Sequence, residues 1–402
     1  MIRVRNADVI VIGGGIVGCS AAMFLAESGL SVNLLERGEV SGEASGLNAG
    51  SIGGYGWGHS PRLQEHLTMG SLAIFRDMQL EKGVDIEFRQ SGSLTAIHTS
   101  DQHGYAQEMV STLRTEGRQI EILSPNEAKS YEPKLNKELI GYMFASQRGQ
   151  ADPVKATKAF SEVAKRNRAD VFTSAPVTGL EQSGQGWIVR ANDRVFNSDA
   201  LLIATGAWTS DIGKMIGLNI PVQPVRGQMW ATESLPPGVF HTISSMESAT
   251  YWHRKPFVSE DSPPELTHDN DLRVTRHLYG RQRANGEVIF GGDRQLLGFN
   301  HEVEFAGIEV NKTHAGEVLP FLNHLPVKRT WSGLMPFSPD GLPIIGRVEQ
   351  YDNLFLATGL GSSGFGRGPG SGMLIADLIV RGEGHPALQE SDPSRLIDET
   401  RN

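Results

Sequence analysis

The chain has 402 residues, 39% hydrophobic and 21% charged, which is globular composition with enough apolar material for two domains of ordinary size. A formal net charge of −9 disfavours nonspecific attraction to nucleic acid or an anionic membrane, and no segment approaches a charge-free membrane span. The single cysteine, Cys19, excludes an intramolecular disulfide and fits a reducing compartment, so a cytoplasmic protein without a transmembrane segment is expected.

Residues 8–36 read as strand, glycine loop, helix, strand and acid. Gly13, Gly15 and Gly18 stand in GxGxxG spacing around Ile16 and Val17, and a second strand ends at Glu36. The first glycine permits a tight turn, the second lets a pyrophosphate approach backbone at a helix N-terminus, and the third lets helix and sheet pack closely. Glu36 is placed to accept both ribose hydroxyls of an adenosine. Cys19, one residue after Gly18, reads as a small packing residue of the helix.

Residues 41–54 are rich in Gly, Ser and Asn and include Ala44, Ser45, Asn48, Ala49, Gly50 and Ser51. They predict a loop whose small residues let backbone lie against a flat ligand. Helical spacing follows over 62–80, stopped by Gly83. A strand over 86–94 with a bend at 91–93, a helix over 102–117 and a short strand over 139–144 come next. A helix opens at Asp152-Pro153 and leads to a strand at 170–173 that rejoins the first sheet in parallel. Strands at 187–191 and 201–206 continue; the second ends in Ala204-Thr205-Gly206, bringing bare backbone to the carboxyl edge of a sheet.

Residues 222–292 alternate as antiparallel strands, including 226–232 and a hairpin over 273–292 turned at Asn285-Gly286. Pro236-Pro237 and the polar stretch 259–270 read as surface loops. The chain then returns to a buried strand at 354–359, a glycine loop over 360–370 and a helix over 373–380. Gly361, Ser362, Ser363, Gly364, Phe365 and Gly366 offer N–H groups just before Pro369, which suits a first helical turn. Donors fixed there would stabilise negative charge arising on a bound ligand.

Six ordered segments together resemble the D-amino acid oxidase (DAO) family of FAD-dependent oxidoreductases, with glycine oxidase, sarcosine oxidase and related amine dehydrogenases among its members. They are the opening motif through Glu36-Arg37, residues 44–50, Ala204 to Trp208, Pro224 to Gln228, Trp331 to Pro336 with Pro339 to Gly346, and Ala357 to Gly359 with Gly361 to Gly366. The resemblance implies an α/β architecture: a Rossmann-like, glutathione-reductase-like FAD domain over 1–85, 151–222 and 325–402, and a mixed antiparallel substrate domain with helices over 86–150 and 223–324. It implies non-covalent FAD, contacted also by Arg37, Val177, Thr205, Gly206, Trp208 and Gly333. The late cysteine that tethers flavin in monomeric sarcosine oxidases is missing here, and a histidine link through His59 is the remaining covalent alternative.

The activity implied is oxidation of a C–N bond by hydride transfer to flavin N5, giving an imine that water hydrolyses, with oxygen or an electron carrier as acceptor. No nucleophile or metal is demanded, and no metal-binding spacing is seen. With period two, His277, Tyr279, Arg281 and Arg283 share one strand face. Tyr279 takes a catalytic and substrate-contacting role by resemblance; Arg281 and Arg283 are candidates to grip a carboxylate, Arg281 also as a catalytic group. Amino-acid oxidases of the family carry a carboxylate-binding arginine directly before the proline of the 331–336 segment, where this chain has Met335. A thioether makes no charge-assisted hydrogen bond, which favours an N-substituted amino acid or secondary amine. The alternatives are a D-amino acid oxidase or dehydrogenase and a flavin monooxygenase. A homo-oligomer or one subunit of a dehydrogenase assembly fits the resemblance.

Overall fold

The computed structural model describes residues 3–54, 61–255 and 262–397. Among them, the strands build two large sheets. The first runs Ile344–Arg347, Leu354–Thr358, Arg194–Ile203, Arg3–Ile12, Val32–Leu35, Ala169–Phe172. All neighbours in it are parallel except the first pair, and the antiparallel hairpin Val177–Ser183/Gly186–Ala191 hangs on Arg194–Ile203. The register Ile12↔Leu35 and Ile12↔Ile203 sets the carboxyl ends of three strands at one edge, where ligands of open α/β sheets bind.

The core follows from the apolar runs. Val9, Ile10, Val11 and Ile12 are buried on both faces of the sheet, each contributing roughly 1.5–3 kcal/mol. Helix Ile16–Glu27 covers one face, flanked by Pro153–Arg166 and Gly364–Arg381. Asp152 caps the second of these by accepting from Lys155 N at 2.9 Å.

The last helix corrects the sequence expectation. It begins at Gly364 rather than at 373, and Pro369 lies inside it instead of in its first turn. The glycines there serve helix packing: a β-carbon on Gly368 would meet Ile16 Cγ2 at 2.5 Å, and one on Gly372 would collide with Ser20 Oγ. Gly370 N, next to the proline, donates to Ser71 Oγ at 2.8 Å.

The second sheet runs Arg329–Phe337, Gln223–Ser234, Glu287–Gln295, Tyr279–Gln282, Thr242–Ser245, Ser93–Ile97, Gly141–Ala145, Ile120–Leu123. It is antiparallel except where Thr242–Ser245 meets Ser93–Ile97. The strand placed at 86–94 starts at Ser93, after Gly92 turns the chain at φ +88°. The first arm of the 273–292 hairpin pairs only from Tyr279; Leu272–Arg273 pairs with His268–Asp269 instead. Part of the stretch read as a surface loop is not on the surface: Thr267 is fully buried, its hydroxyl accepting from Arg294 N at 2.7 Å, while Asp269 and Asn270 are exposed. Arg329–Phe337, assigned from sequence to the cofactor domain, is an edge strand of this second sheet. Among the described residues no helix is long and apolar enough to cross a membrane.

Candidate active site

A cavity of about 460 Å³ lies between the carboxyl edge of the first sheet and the second sheet, and both glycine corners line it. At the first corner Gly13 takes φ +114°, and a β-carbon on Gly18 would collide with its carbonyl, so the turn is specific to glycine. Gly14 N donates to Glu36 Oε2 at 2.6 Å and Gly38 N to Oε1 at 2.7 Å, which fixes the carboxylate beside the turn. Ser45 Oγ accepts from Ile16 N at 2.9 Å, bringing the 41–54 loop onto the start of the helix. Asn48 braces that loop, donating to Ala44 O and accepting from Gly50 N at 2.7 Å. Farther along, Arg37 pairs with Glu43 and lies 3.6 Å from the Trp208 ring centre, well inside the reach of about 6 Å for a cation–π contact.

At the second corner Gly359 and Gly361 take φ +72° and +55°, and the short turn Gly361–Ser363 feeds the helix that starts at Gly364. A β-carbon on Gly366 would stand 3.0 Å from Ser51 O, so the late corner rests on the 41–54 loop. Two helix N-termini thus face one cavity, where their unsatisfied N–H groups favour negative charge. A long cleft, glycine backbone at both corners, an acid beside the first turn and small residues between them fit a dinucleotide carrying a flat ring.

The lining includes Gly13, Gly15, Ile16, Val17, Glu36, Arg37, Ala44, Ser45, Asn48, Ser51, Val177, Ala204, Thr205, Gly206, Trp208, Gly333 and the whole run Gly361 to Gly366. Gly18, Ala49 and Gly50 stand behind it: Gly18 packs under Gly13, and Ala49 and Gly50 lie against Arg281. His59 lies outside the described residues. Cys19 is fully buried, donates to Gly14 O, and its thiol is pushed up by burial; it is a packing residue.

The second sheet supplies the opposite wall, with His277, Tyr279, Arg294, Met229 and Met335 among its lining residues. The Tyr279 hydroxyl makes no hydrogen bond among the described residues, and burial raises its pKa to about 12. Two expectations are corrected. Arg281 does not line the cavity; it is fully buried, donating to Ala49 O and to Ala151 O at 2.9 Å. Burial lowers its pKa to about 10, with Arg89 adding to the shift. It fastens the 41–54 loop to the start of helix Pro153–Arg166. Arg283 is likewise committed elsewhere, to Asp152 at 2.7 Å and Glu287 at 3.3 Å. The sheet carries both away from the cavity, since each step of two residues advances about 6.6 Å along a strand.

Arg294 was not singled out from sequence. It lines the cavity while donating to Glu265 at 2.8 Å and stacking 4.3 Å over Trp252. Burial lowers its pKa, and the Glu265 charge works against that shift. The signal was available in the hairpin: Tyr279 pairs with Gly291, so the partner strand continues past the predicted end and carries a cation to the same wall. Arg148 on the adjacent wall, with Thr95, Met143 and Ser244 nearby in the lining, was missed too, because it lies in a turn after the short strand Gly141–Ala145.

Residues 8–378 match the family described as DAO, FAD dependent oxidoreductase. The chain belongs to that family. It is an FAD-dependent oxidoreductase, and its fold is the DAO type, with FAD as its cofactor. It is 26% identical over 390 residues to glycine oxidase of Bacillus licheniformis, spanning 96% of this chain and 95% of that one. It is 26% identical to hydrogen cyanide synthase subunit HcnC of Pseudomonas protegens, over 94% of this chain and 93% of the relative. Among solved structures, glycine oxidase from Geobacillus kaustophilus superposes with a TM-score of 0.83 at 22% identity, covering 97% of this chain and 99% of that one. L-proline dehydrogenase from P. horikoshii superposes at 0.82 and 24% identity, covering 97% and 98%.

Proposed function

We propose that this DAO-family enzyme oxidises the C–N bond of an N-substituted amino acid, with the substrate carboxylate held by Arg294. The observation that carries the reading is that Arg294 and Met335 line the same cavity. A β-carbon on Gly227 would lie 3.1 Å from the Met335 methyl and 3.7 Å from Asp293 O. The methionine and the backbone leading into Arg294 therefore border the same spot from two strands. The cation missing at Met335 is offered from Glu287–Gln295, the strand on the other side of Gln223–Ser234, and a guanidinium matches a carboxylate through paired hydrogen bonds.

FAD, when bound, supplies the hydride acceptor. The chain's residues supply position. Glu36, the first glycine turn and the Arg37–Trp208 stack would hold the adenosine and diphosphate end, and the Gly361–Gly366 corner the ring. Arg294, Tyr279 and Met335 would hold the substrate against that ring so that the reacting carbon is close and oriented. Among the described lining residues contributed by the second sheet, the one carboxylate is Asp293, and Arg273 grips both its oxygens. Among the described residues that wall thus offers the substrate amine no uncommitted carboxylate.

The two sheets support a division into a cofactor domain and a substrate domain, with Arg329–Phe337 moved to the latter. Similarity to a relative named as a synthase subunit supports membership of an assembly as one quaternary state. The lone buried cysteine accords with a cytoplasmic setting. Anaerobic mixing of the yellow holoenzyme with N-methyl amino acids, proline, D-amino acids and polyamines tests the reading. Bleaching by N-substituted amino acids ahead of amines that lack a carboxylate supports it; preference for the latter overturns it.

A further inference from the structure

We propose that His98, His314 and Glu317 bind one divalent transition-metal ion, zinc foremost, at a structural site outside the flavin cavity. His314 and Glu317 are three residues apart in helix Phe305–Val318, so they share a helix face. His98 directly follows strand Ser93–Ile97 of the second sheet. The three bring one ligand atom each to within 4.8 Å of one another. His98 Nε2 lies 3.6 Å from Glu317 Oε2, and the two imidazole centres are 5.5 Å apart and tilted by 57°. Donors around a tetrahedral zinc with bonds near 2.0–2.1 Å stand about 3.3 Å apart, so a small closure completes the set.

The second observation is the state of the rings. His314 is 0% exposed, and neither of its nitrogens, nor either nitrogen of His98, has a hydrogen-bond partner among the described residues. A buried polar atom left unpaired costs about 1–3 kcal/mol, and native interiors rarely tolerate it. A metal ion satisfies one lone pair on each ring at once.

Charge agrees. Arg276 binds Glu317 through both oxygens, at 2.8 and 3.1 Å, and Glu247 as well. Glu247 Oε2 stands 3.9 Å from His314 Nε2. Two carboxylates against one guanidinium leave the cluster at −1, and a divalent cation takes it to +1. Both histidines are held below their ordinary pKa, His314 to about 2, by burial, with the Arg276 charge acting in the same direction; they present neutral rings, the form that ligates metal. Glu317, with 37% of its side chain exposed, opens the route in. None of the three residues lines the flavin cavity. Two imidazoles and one carboxylate leave a fourth position for water and match zinc rather than magnesium or calcium. The ion would tie helix Phe305–Val318 to the sheet. Sequence spacing hides the site because its ligands come from segments over 200 residues apart.

The test uses the purified flavoprotein, stripped with chelator, reloaded with zinc sulfate and desalted. Zinc is then measured by elemental analysis against flavin absorbance. The expected result is about one zinc per chain in the native protein, falling to under about a tenth in His98→Gln and in Glu317→Gln. Both variants avoid the fully buried His314, and flavin content and circular dichroism confirm their folding. Cobalt in place of zinc should give the visible bands of a four-coordinate ion, and zinc should raise the melting temperature of the native protein but not of His98→Gln. Native protein that retains no zinc, or variants that retain as much as native protein, would overturn the assignment.

Discussion

Arg294 Nη2 and His277 Nε2 meet at 3.2 Å across the cavity wall. A guanidinium only donates, so Nε2 must accept and the histidine proton sits on Nδ1, which is 2.7 Å from Ser248 Oγ. Burial, with the Arg294 charge, holds this imidazole well below its ordinary pKa. His277 is thus a fixed neutral acceptor that aims Arg294.

The neutral His277 shapes the pH dependence of turnover. Rising kcat/KM should follow deprotonation of the substrate amine alone, shifting with the amine's own pKa across a substrate series. A pH profile measured with substrates of different basicity checks this. A limb fixed near 6.5 for every substrate would contradict it.

Substituting Arg294 by methionine removes the proposed carboxylate anchor. A hydrogen bond to a charged group contributes about 1.5–3 kcal/mol, so KM for carboxylated substrates should rise roughly 10- to 150-fold while flavin content stays full. Steady-state kinetics beside a decarboxylated analogue distinguishes this from general damage: the analogue should lose far less.

Arg281→Met should behave in the opposite manner. Removing it leaves Ala49 O and Ala151 O without their buried donor, at about 1–3 kcal/mol for an unsatisfied group. The melting temperature should fall, while the kinetic constants of the folded fraction stay near native values. Loss of turnover at unchanged stability would restore a catalytic role to this arginine.

Stability should also decline in acid. His98, His277 and His314 are each held below the ordinary value of 6.5, burial being the main cause. The unfolded chain therefore takes up protons first as pH falls through about 6.5, and stability present above that pH is lost progressively below it, by up to about 1.4 kcal/mol per pH unit for each histidine. Melting curves of metal-free protein between pH 7 and 5 read this directly; a flat profile would count against all three buried neutral rings.

Much of this was legible in the residues themselves. The opening glycine turn, Glu36 and the late corner are local patterns, since the backbone conformation needed at Gly13 admits few other residues, and they line the cavity as the motif spacing implied. The side chains of the second sheet were not legible in the same way. Period two put His277, Tyr279, Arg281 and Arg283 on one face, but only the path of the strand decides where along that face the cavity ends; it ends before Arg281. The late helix was misjudged because its glycines look like a loop in sequence, whereas here they let it lie against Ile16 and Ser20. Arg294 needed the hairpin register, a nonlocal fact.

The central claim, one flavin held between two glycine corners and reduced by an N-substituted amino acid, is tested most directly by anaerobic titration of the purified yellow protein. The account predicts that an N-methyl amino acid removes the flavin's visible absorbance at one equivalent per chain, and that Gly18→Ala, whose new methyl group displaces Gly13, arrives without flavin. Visible absorbance that persists with every amine and amino acid, but disappears on adding NADPH alone, would contradict it.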